Sequence, residues 1–313
     1  MNLAREPLLR NNSSPLRMLA LLLIILVSIL FTLIFGMAGG YLLFGSEMMD
    51  YIKDGQLEIN AEMIPMLKYL QIVNTLGIFV FPPLIFAFLV SKKPAKYLKL
   101  DQLPALISAM AGVAVIIVIL PFLHWTAGLN EMLNLPEYMA GIERWMKNSE
   151  EQAMEITTIF LNTGTITGLM LNLIMIAVLP AIGEELLFRG VLLRLFREWT
   201  GYTHLAVIIS ALLFSALHLQ FYGFLPRFIL GMFLGYMFVW TGSVWVPVIV
   251  HFFNNGIAVV AAYLYERGTI NTEVNSLGET HQPYIIISSL LMVLLLIIVI
   301  RYYEGKKKGS TIE

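Results

Sequence analysis

Long, nearly unbroken runs of apolar residues set the pattern of this chain, and polar residues gather in the stretches between them. A helix needs roughly 20 apolar residues to cross a bilayer core of ~30 Å. Eight runs approach or exceed that length. The pattern therefore predicts an all-α, multi-pass transmembrane helical bundle. The predicted passes are residues 17–44, 68–91, 103–125, 168–194, 204–222, 226–241, 244–265 and 283–303.

The stretches between the runs contain no internal repeat, no low-complexity tract and no segment typical of a soluble domain. We therefore expect residues 1–313 to form a single membrane domain. The first run follows Arg5, Arg10 and Arg17, as the apolar part of a signal peptide would. It is far longer than the roughly 7–15 residues of such a part, so we interpret it as a retained first pass.

The composition agrees with a membrane protein. Apolar residues make up 58% of the 313 residues and charged residues only 13%, against about 45–50% and about 25% in soluble domains. This balance excludes a soluble enzyme, a nucleic-acid-binding protein and a disordered chain. The chain has no cysteine, which excludes a disulfide framework, a thiol nucleophile and a cysteine-ligated metal site.

The distribution of Lys and Arg predicts the orientation. If the N-terminus is cytoplasmic, the inner segments hold 14 of the 20 basic residues and the outer segments hold 6. Cytoplasmic loops are enriched in Lys and Arg, so this division favours eight passes with both termini in the cytoplasm. We expect an integral, multi-pass protein of the cell membrane.

Two outer loops, residues 45–67 and 126–167, are long. The second carries apolar residues at near-helical spacing, which predicts an amphipathic helix. This pattern favours a helix on the outer membrane interface over a substrate-binding element. The apolar positions are Leu133, Tyr138, Met139, Ile142, Trp145 and Met146.

The fourth predicted pass contains charged residues. Each charged side chain at the centre of a membrane helix costs roughly 2.5–3.5 kcal/mol to insert into the bilayer. Glu185 and Arg189 are four residues apart, so a helix places them on one face as an ion pair. Glu184 lies on another face without a nearby cation, which suits a general base or acid. Pro180 removes a backbone donor just before the pair and predicts a kink there. The alternative is an ion-pair network that only stabilises the helix.

Two later passes carry histidines. Phe214 precedes His218 by one turn and can cover one side of its ring, although a lone histidine at this position is more typical of packing. His251 and Asn255 share a helix face, with Asn254 beside them, and such a pair can equally join two membrane helices. At 1.5 Å per residue, Glu184 and His251 fall in the inner half of the membrane and His218 somewhat deeper.

This set of side chains can hydrolyse an amide bond. A carboxylate can deprotonate a water, and two histidines with an amide can orient the water and stabilise the oxyanion. Imidazole and carboxylate groups are also zinc ligands, so a metal-dependent version stays open. The spacing H-E-x-x-H of a zincin helix is absent from the sequence.

Three motifs in this order, Glu184-Glu185-x-x-x-Arg189, Phe214-x-x-x-His218 and His251-x-x-x-Asn255, resemble the CAAX protease and bacteriocin-processing (CPBP or Abi) family. These intramembrane endopeptidases include the type II CAAX prenyl endopeptidases. The resemblance covers residues 168–260, the motif-bearing core, and implies a glutamate-dependent, metal-independent peptidase that needs no cofactor.

The resemblance also implies the role of each residue. Glu184 would activate water, with Glu185, Arg189, Phe214 and Asn254 in support. His218 would help to position the water, while His251 and Asn255 would form the oxyanion site.

Three hypotheses follow from the sequence. The first is an intramembrane endopeptidase that cleaves a peptide or a lipid-anchored protein from the cytoplasmic side, with membrane lipid as its surroundings and no nucleic acid as a partner. The second is a metal-dependent protease with Glu184, His218 and His251 as ligands. The third is a transporter or channel-like protein whose polar residues line a solute or proton path.

Overall fold

The computed structural model of the chain describes residues 6–46, 48, 61–132 and 135–309. In this part of the chain, seven helices are long and apolar enough to cross a membrane. The predicted all-α, multi-pass bundle is confirmed. The long apolar helices are α1 (Ser14–Phe44), α2 (Ile64–Val90), α3 (Leu106–Glu131), α5 (Ile166–Thr200), α7 (Phe224–Thr241), α8 (Trp245–Glu266) and α9 (Pro283–Gly309).

The run predicted as a fifth pass forms a shorter helix, α6 (Thr203–Ala216). Its 14 residues span about 21 Å, less than the bilayer core. The helix ends because the backbone turns over at its end. Leu219 has a left-handed φ of 54°, and its N–H donates to the carbonyl of Ala216. The predicted end at residue 222 was therefore too late, since apolar residues in the turn extended the hydropathy run.

A further helix, α4 (Ala140–Leu161), forms in the second predicted outer loop, as expected. It docks on the turn of residues 217–223, where Trp145 packs against Phe221 with 5.1 Å between ring centroids. The Glu150 carboxylate accepts a hydrogen bond from the N–H of Tyr222 at 3.1 Å. Leu133, which belonged to the predicted amphipathic pattern, and most of the loop 45–67 lie outside the described residues.

Prolines and π-helical turns interrupt two of the long helices. In α5, a π-helical segment, Leu173–Val178, ends two residues before Pro180, and a second one covers Leu186–Leu192. In α2, a π-helical segment, Leu76–Val80, precedes two prolines. The kink predicted at Pro180 stays a prediction; the feature observed beside this proline is the π-helical segment. Such π-helical turns occur often at functional sites.

Small residues allow the helices to approach one another closely. A Cβ atom on Gly112 of α3 would lie 2.6 Å from a methyl group of Val250 in α8, and one on Gly77 would overlap Thr32 of α1. Close approach through small residues is typical of membrane helices, which lack a hydrophobic driving force for association in lipid. The outer faces remain apolar: Leu22 and Ile298 are 58% and 67% exposed.

Two polar contacts inside the bundle were not predicted from the sequence. Lys68 of α2 is buried and donates to the side chain of Asn172 in α5 at 2.8 Å. Glu304 of α9 is 3% exposed and accepts a hydrogen bond from Ser108 of α3. Both pairs join helices that are distant in sequence, so the local pattern carried no indication of them.

Candidate active site

The centre of the site is a hydrogen-bonded group of three buried side chains on α5 and α8. One oxygen of Glu185, Oε1, accepts from Nη1 of Arg189 at 2.8 Å and lies 2.9 Å from Nδ1 of His251. The side chains are 0%, 1% and 4% exposed, respectively. The predicted Glu185–Arg189 pair is therefore present. Its contact with His251 fixes the orientation of the imidazole ring.

Arg189 also ties α5 to α7. Its Nη2 donates to the carbonyl oxygen of Gly231 at 2.9 Å, and its guanidinium lies 4.8 Å from the ring centroid of Phe214. The helices are close here because Gly231 has no side chain. A Cβ atom at this position would lie 3.2 Å from Ala211 and from Phe214 on α6.

Glu184 lies next to this group but is not hydrogen-bonded to it. Its Oε2 atom is 3.9 Å from Nε2 of His251, which is longer than a hydrogen bond. The side chain is buried, and Oε2 has no hydrogen-bond partner in the described part of the chain. The two adjacent glutamates therefore have different environments: Oε1 of Glu185 is held by an arginine and a histidine, whereas Glu184 is hydrogen-bonded to neither. Oε2 of Glu185 is also without a partner in the described part of the chain.

The second π-helical segment of α5 begins directly after the glutamates. It spans Leu186–Leu192 and includes Arg189. Ser210 of α6 donates to the carbonyl of Phe188 within this segment at 3.2 Å. The widened turn thus has a polar partner on the neighbouring helix, while the ion pair across four residues is retained.

His218 contacts the same Phe214 ring as His251 of the central group. Its Nδ1 atom is 2.7 Å from the carbonyl oxygen of Phe214, so Nε2 is the nitrogen left for other contacts. The Phe214 centroid is 5.0 Å from the His218 ring and 5.8 Å from the His251 ring. The predicted packing of Phe214 on His218 is present, and the same ring contacts both histidines.

Asn254 and Asn255 extend the polar surface along α8. Asn255 donates from Nδ2 to the carbonyl of Ile176 at 3.0 Å, and Asn254 donates to Asn255 Oδ1 at 3.0 Å. The Ile176 carbonyl lies four residues before Pro180, which has no N–H to donate to it. Asn255 therefore supplies a donor at the interrupted part of α5.

A cavity of about 620 Å³ opens beside these residues. Its inner wall includes Phe214, His218, His251, Asn254 and Asn255, whereas neither Glu184 nor Glu185 lines it. On the other side it is lined by Met154, Thr157, Thr158 and Leu161 of α4. The helix that the sequence predicts on the outer membrane interface therefore also lines the cavity. Because the helix packs on the turn 217–223, it lies next to the cavity.

The cavity opens at the end of the bundle opposite the basic loops. Helix α8 begins beside those loops, where the indole N–H of Trp245 donates to the carbonyl of Leu100 at 2.9 Å. It ends at the rim of the cavity, which includes Tyr265, Glu266 and Glu273. In the predicted orientation this end is the outer side, whereas the sequence predicts cleavage from the cytoplasmic side. The residue depths estimated from the predicted helix ends could not show at which end of the bundle the cavity opens.

Several cavity residues were missed at the sequence level. Arg227, near the start of α7, lines the cavity and donates to the carbonyl of Gln220 at 2.9 Å. Glu150 lines it from α4. The position of Arg227 inside an apolar run was an available indication, because charges in such runs are rare. The contribution of Glu150 depends on the docking of α4 and had no local indication.

The metal-dependent hypothesis needs Glu184, His218 and His251 around one ion. Within the ranges that the structure describes, no three His, Asp or Glu side chains are grouped in a way that could hold a metal ion. The ring nitrogens of His251 face the two glutamates, and Nδ1 of His218 is taken up by the carbonyl of Phe214.

Comparisons with known proteins match a part of this chain. Among curated proteins, the chain is 35% identical over 85 residues to the uncharacterized protein YpbD of Bacillus subtilis (strain 168). The matched stretch covers 26% of this chain and 40% of that protein. It is 33% identical over 93 residues to an uncharacterized 24.3 kDa protein of Escherichia coli, 28% of this chain and 42% of the other. The chain thus spans about two fifths of the length of these relatives. No solved structure matches.

A family model described as "Type II CAAX prenyl endopeptidase Rce1-like" matches residues 166–257. This range contains all three motifs and agrees closely with the predicted core. Residues 166–257 therefore form an Rce1-like domain within a membrane-embedded helical bundle, and the resemblance to the CAAX protease family is confirmed for this segment.

Proposed function

We propose that this protein is an intramembrane endopeptidase in which Glu184 activates the attacking water. The observation that carries the proposal is the free Oε2 of Glu184, 3.9 Å from Nε2 of a histidine whose other nitrogen is held by Glu185. A water that makes hydrogen bonds of about 2.8 Å can contact both atoms across this separation. The same water would then be adjacent to the cavity that His251 lines.

Two carboxylates, a guanidinium and an imidazole meet at the centre of the site. Nδ1 of His251 contacts Oε1 of Glu185 at 2.9 Å, so Nε2 is the nitrogen that can face the substrate. The Glu185–Arg189 pair acts as a fixed support, because both of its members are fully buried and hydrogen-bonded.

The reaction proceeds in two steps. Glu184 takes a proton from the water as the water oxygen bonds to the carbonyl carbon of the peptide, and the negative charge moves to the carbonyl oxygen. His251 Nε2–H and the second N–H of Asn255 stabilise that oxyanion, while His218 helps to orient the water. Glu184 then returns the proton to the peptide nitrogen as the carbon–nitrogen bond breaks.

The cavity indicates the class of substrate. Its wall includes Glu150, Glu266 and Glu273 against the single cation Arg227, so it favours an uncharged or basic peptide segment. With the predicted orientation, this segment is presented from the outer side. We therefore propose a membrane-associated or lipid-anchored chain as substrate, cleaved near the outer half of the bilayer.

A proteomic comparison tests this function in cells. Membranes that contain the wild type are compared with membranes that contain Glu184→Gln, and chain N-termini and C-termini are identified by mass spectrometry. We expect uncleaved chains to accumulate with the variant, and their cleavage sites to lie in or beside a membrane segment. If both membranes contain the same set of termini, the proposed function is wrong.

A further inference from the structure

A second cavity lies at the opposite end of the bundle, outside the segment that matches the peptidase family except for one residue. Its volume is about 380 Å³. Six of its nine lining residues are cations, and no acidic side chain among the described residues lines it. The lining consists of Arg10, Val90, Ser91, Lys92, Lys93, Lys96, Tyr97, Lys99 and Arg194.

Few of these cations are neutralised. Arg10 and Lys92 share one carboxylate, that of Glu6, which is itself 62% exposed. Arg194 donates to the backbone carbonyl of Tyr97 and has no carboxylate partner in the described part of the chain. Lys93, Lys96 and Lys99 have no acidic partner there either. The cavity therefore carries a large positive charge that the described residues do not balance.

The segment that carries the lysines is tightly packed. Leu98 is fully buried and would contact a Cβ atom placed on Gly190 of α5 at 3.1 Å. Ser243, just before α8, donates to the carbonyl of Gln102 at 2.8 Å. These contacts hold the lysine-bearing loop against two helices. Orientation by positive charge depends on the number of Lys and Arg residues and requires no such concave arrangement.

Lys99 has a backbone conformation that favours glycine. Its φ is 59°, and it follows the short helix Pro94–Tyr97 at the position where helices commonly end with a left-handed glycine. The N–H of Leu100 donates to the carbonyl of Ala95 at 2.9 Å, as this kind of helix end requires. A lysine in this conformation is less stable than a glycine, because its Cβ atom crowds the backbone.

Tyr97 adds an unused donor. It lines the cavity and is 8% exposed, and its hydroxyl has no hydrogen-bond partner among the described residues. Burial raises the pKa of this hydroxyl to about 12, so it stays protonated at physiological pH. A buried hydroxyl without a partner is uncommon, and an anionic ligand in the cavity would accept its hydrogen bond.

We propose that this cavity binds a phosphate group, as carried by the headgroup of an anionic phospholipid. Basic pockets between membrane helices on the cytoplasmic side are known to suit such headgroups. The cavity lies where the bundle meets the predicted cytoplasmic surface, since α2 ends at Val90 directly beside it. The proposal is independent of the peptidase activity.

Native mass spectrometry tests the proposal. It measures how dioleoylphosphatidylglycerol binds to the full chain purified in a zwitterionic detergent. Each lysine near a lipid phosphate is worth about fivefold in affinity, so Lys93→Gln/Lys96→Gln/Lys99→Gln should weaken binding about 100-fold. Dioleoylphosphatidylcholine should bind much more weakly to the wild type. Displacement of the lipid by millimolar potassium phosphate assigns the site to free phosphate, and retention assigns it to the headgroup.

Two further variants distinguish binding of the lipid in this cavity from general electrostatic attraction between the lipid and the basic protein surface. Lys306→Gln/Lys307→Gln/Lys308→Gln removes the same charge from the basic C-terminal segment and should bind the lipid as the wild type does. Lys99→Gly relieves the backbone, so the protein should be at least as stable, yet lipid affinity should fall several-fold. Equal losses in the two triple variants, or unchanged affinity in Lys99→Gly, would overturn the proposal.

Discussion

Two neighbouring glutamates on α5 have opposite surroundings. Oε1 of the buried Glu185 contacts both Arg189 and His251, whereas Oε2 of Glu184 lies 3.9 Å from His251, beyond hydrogen-bond distance. Oε2 of each glutamate has no hydrogen-bond partner among the described residues. The sequence could predict the Glu185–Arg189 contact because it depends only on helix geometry. It could not predict the contact between Glu185 and His251, because that contact requires the packing of α8 against α5. The proposed division of roles rests on this difference.

Removal of Arg189 should be strongly destabilising. Arg189→Met leaves the buried Glu185 carboxylate without its cation, which should lower the free energy of unfolding by about 3–5 kcal/mol. The double variant Arg189→Met/Glu185→Leu also removes the buried carboxylate, so it should recover a large part of the lost free energy of unfolding. Unfolding in detergent, followed by circular dichroism, measures both. A single variant as stable as the wild type would contradict the importance of the buried pair.

At the scale of elements, the hydropathy runs predicted the long helices within a few residues. They failed where tertiary packing decides the outcome. Helix α6 ends six residues before its predicted end because the chain turns back at Leu219. Helix α4 was recognised as amphipathic, but its position over the cavity depends on contacts with the turn 217–223, such as Trp145 on Phe221.

The cavity face of α4 should control access of substrate. Thr158 lines the cavity, so Thr158→Trp should fill part of it and lower the cleavage rate at least about tenfold without a large loss of stability. Ile156 is on the same helix, is 41% exposed and does not line the cavity. Ile156→Trp should therefore leave cleavage unchanged. Equal rates for both variants and the wild type would show that α4 does not bind substrate.

The contact between α2 and α5 depends on Gly183, next to Glu184. A Cβ atom there would lie 2.9 Å from Phe79 Cβ and 3.2 Å from the Phe79 carbonyl carbon. Gly183→Ala should therefore push the helices apart, with a loss of about 1–3 kcal/mol in the free energy of unfolding. At Gly305 of α9 a Cβ atom meets nothing within 4 Å, so Gly305→Ala should be neutral or stabilising. Thermal unfolding of both variants tests this; equal melting temperatures would be the contrary result.

At the scale of the whole molecule, charge and cavity lie at opposite ends. Six lysines and arginines gather at one end, around Lys96 and Arg194, and the cavity lined by His218 and His251 opens at the other, near Asn275. Charge counting predicted the orientation, but no feature of the sequence indicated which end the cavity faces. That information arises only from the arrangement of α4, α8 and the outer loops in space.

Cysteine labelling can determine the orientation, because the natural chain has no cysteine. Asn275→Cys, at the cavity rim, should react with a membrane-impermeant maleimide in intact cells. Lys96→Cys, at the basic end, should react only after permeabilisation. The reverse pattern would mean that the cavity opens to the cytoplasm.

The central claim is that the Glu184 carboxylate activates water, and cleavage of a membrane-embedded peptide by the purified protein tests it most directly. Glu304→Gln is a matched control, since Glu304 is also a buried intramembrane carboxylate but lies between α3 and α9. With a strong chelator present, we predict that the wild type and Glu304→Gln cleave at similar rates, while Glu184→Gln is slower by about 10²–10⁴-fold and remains folded. Cleavage by Glu184→Gln at the wild-type rate would contradict the account.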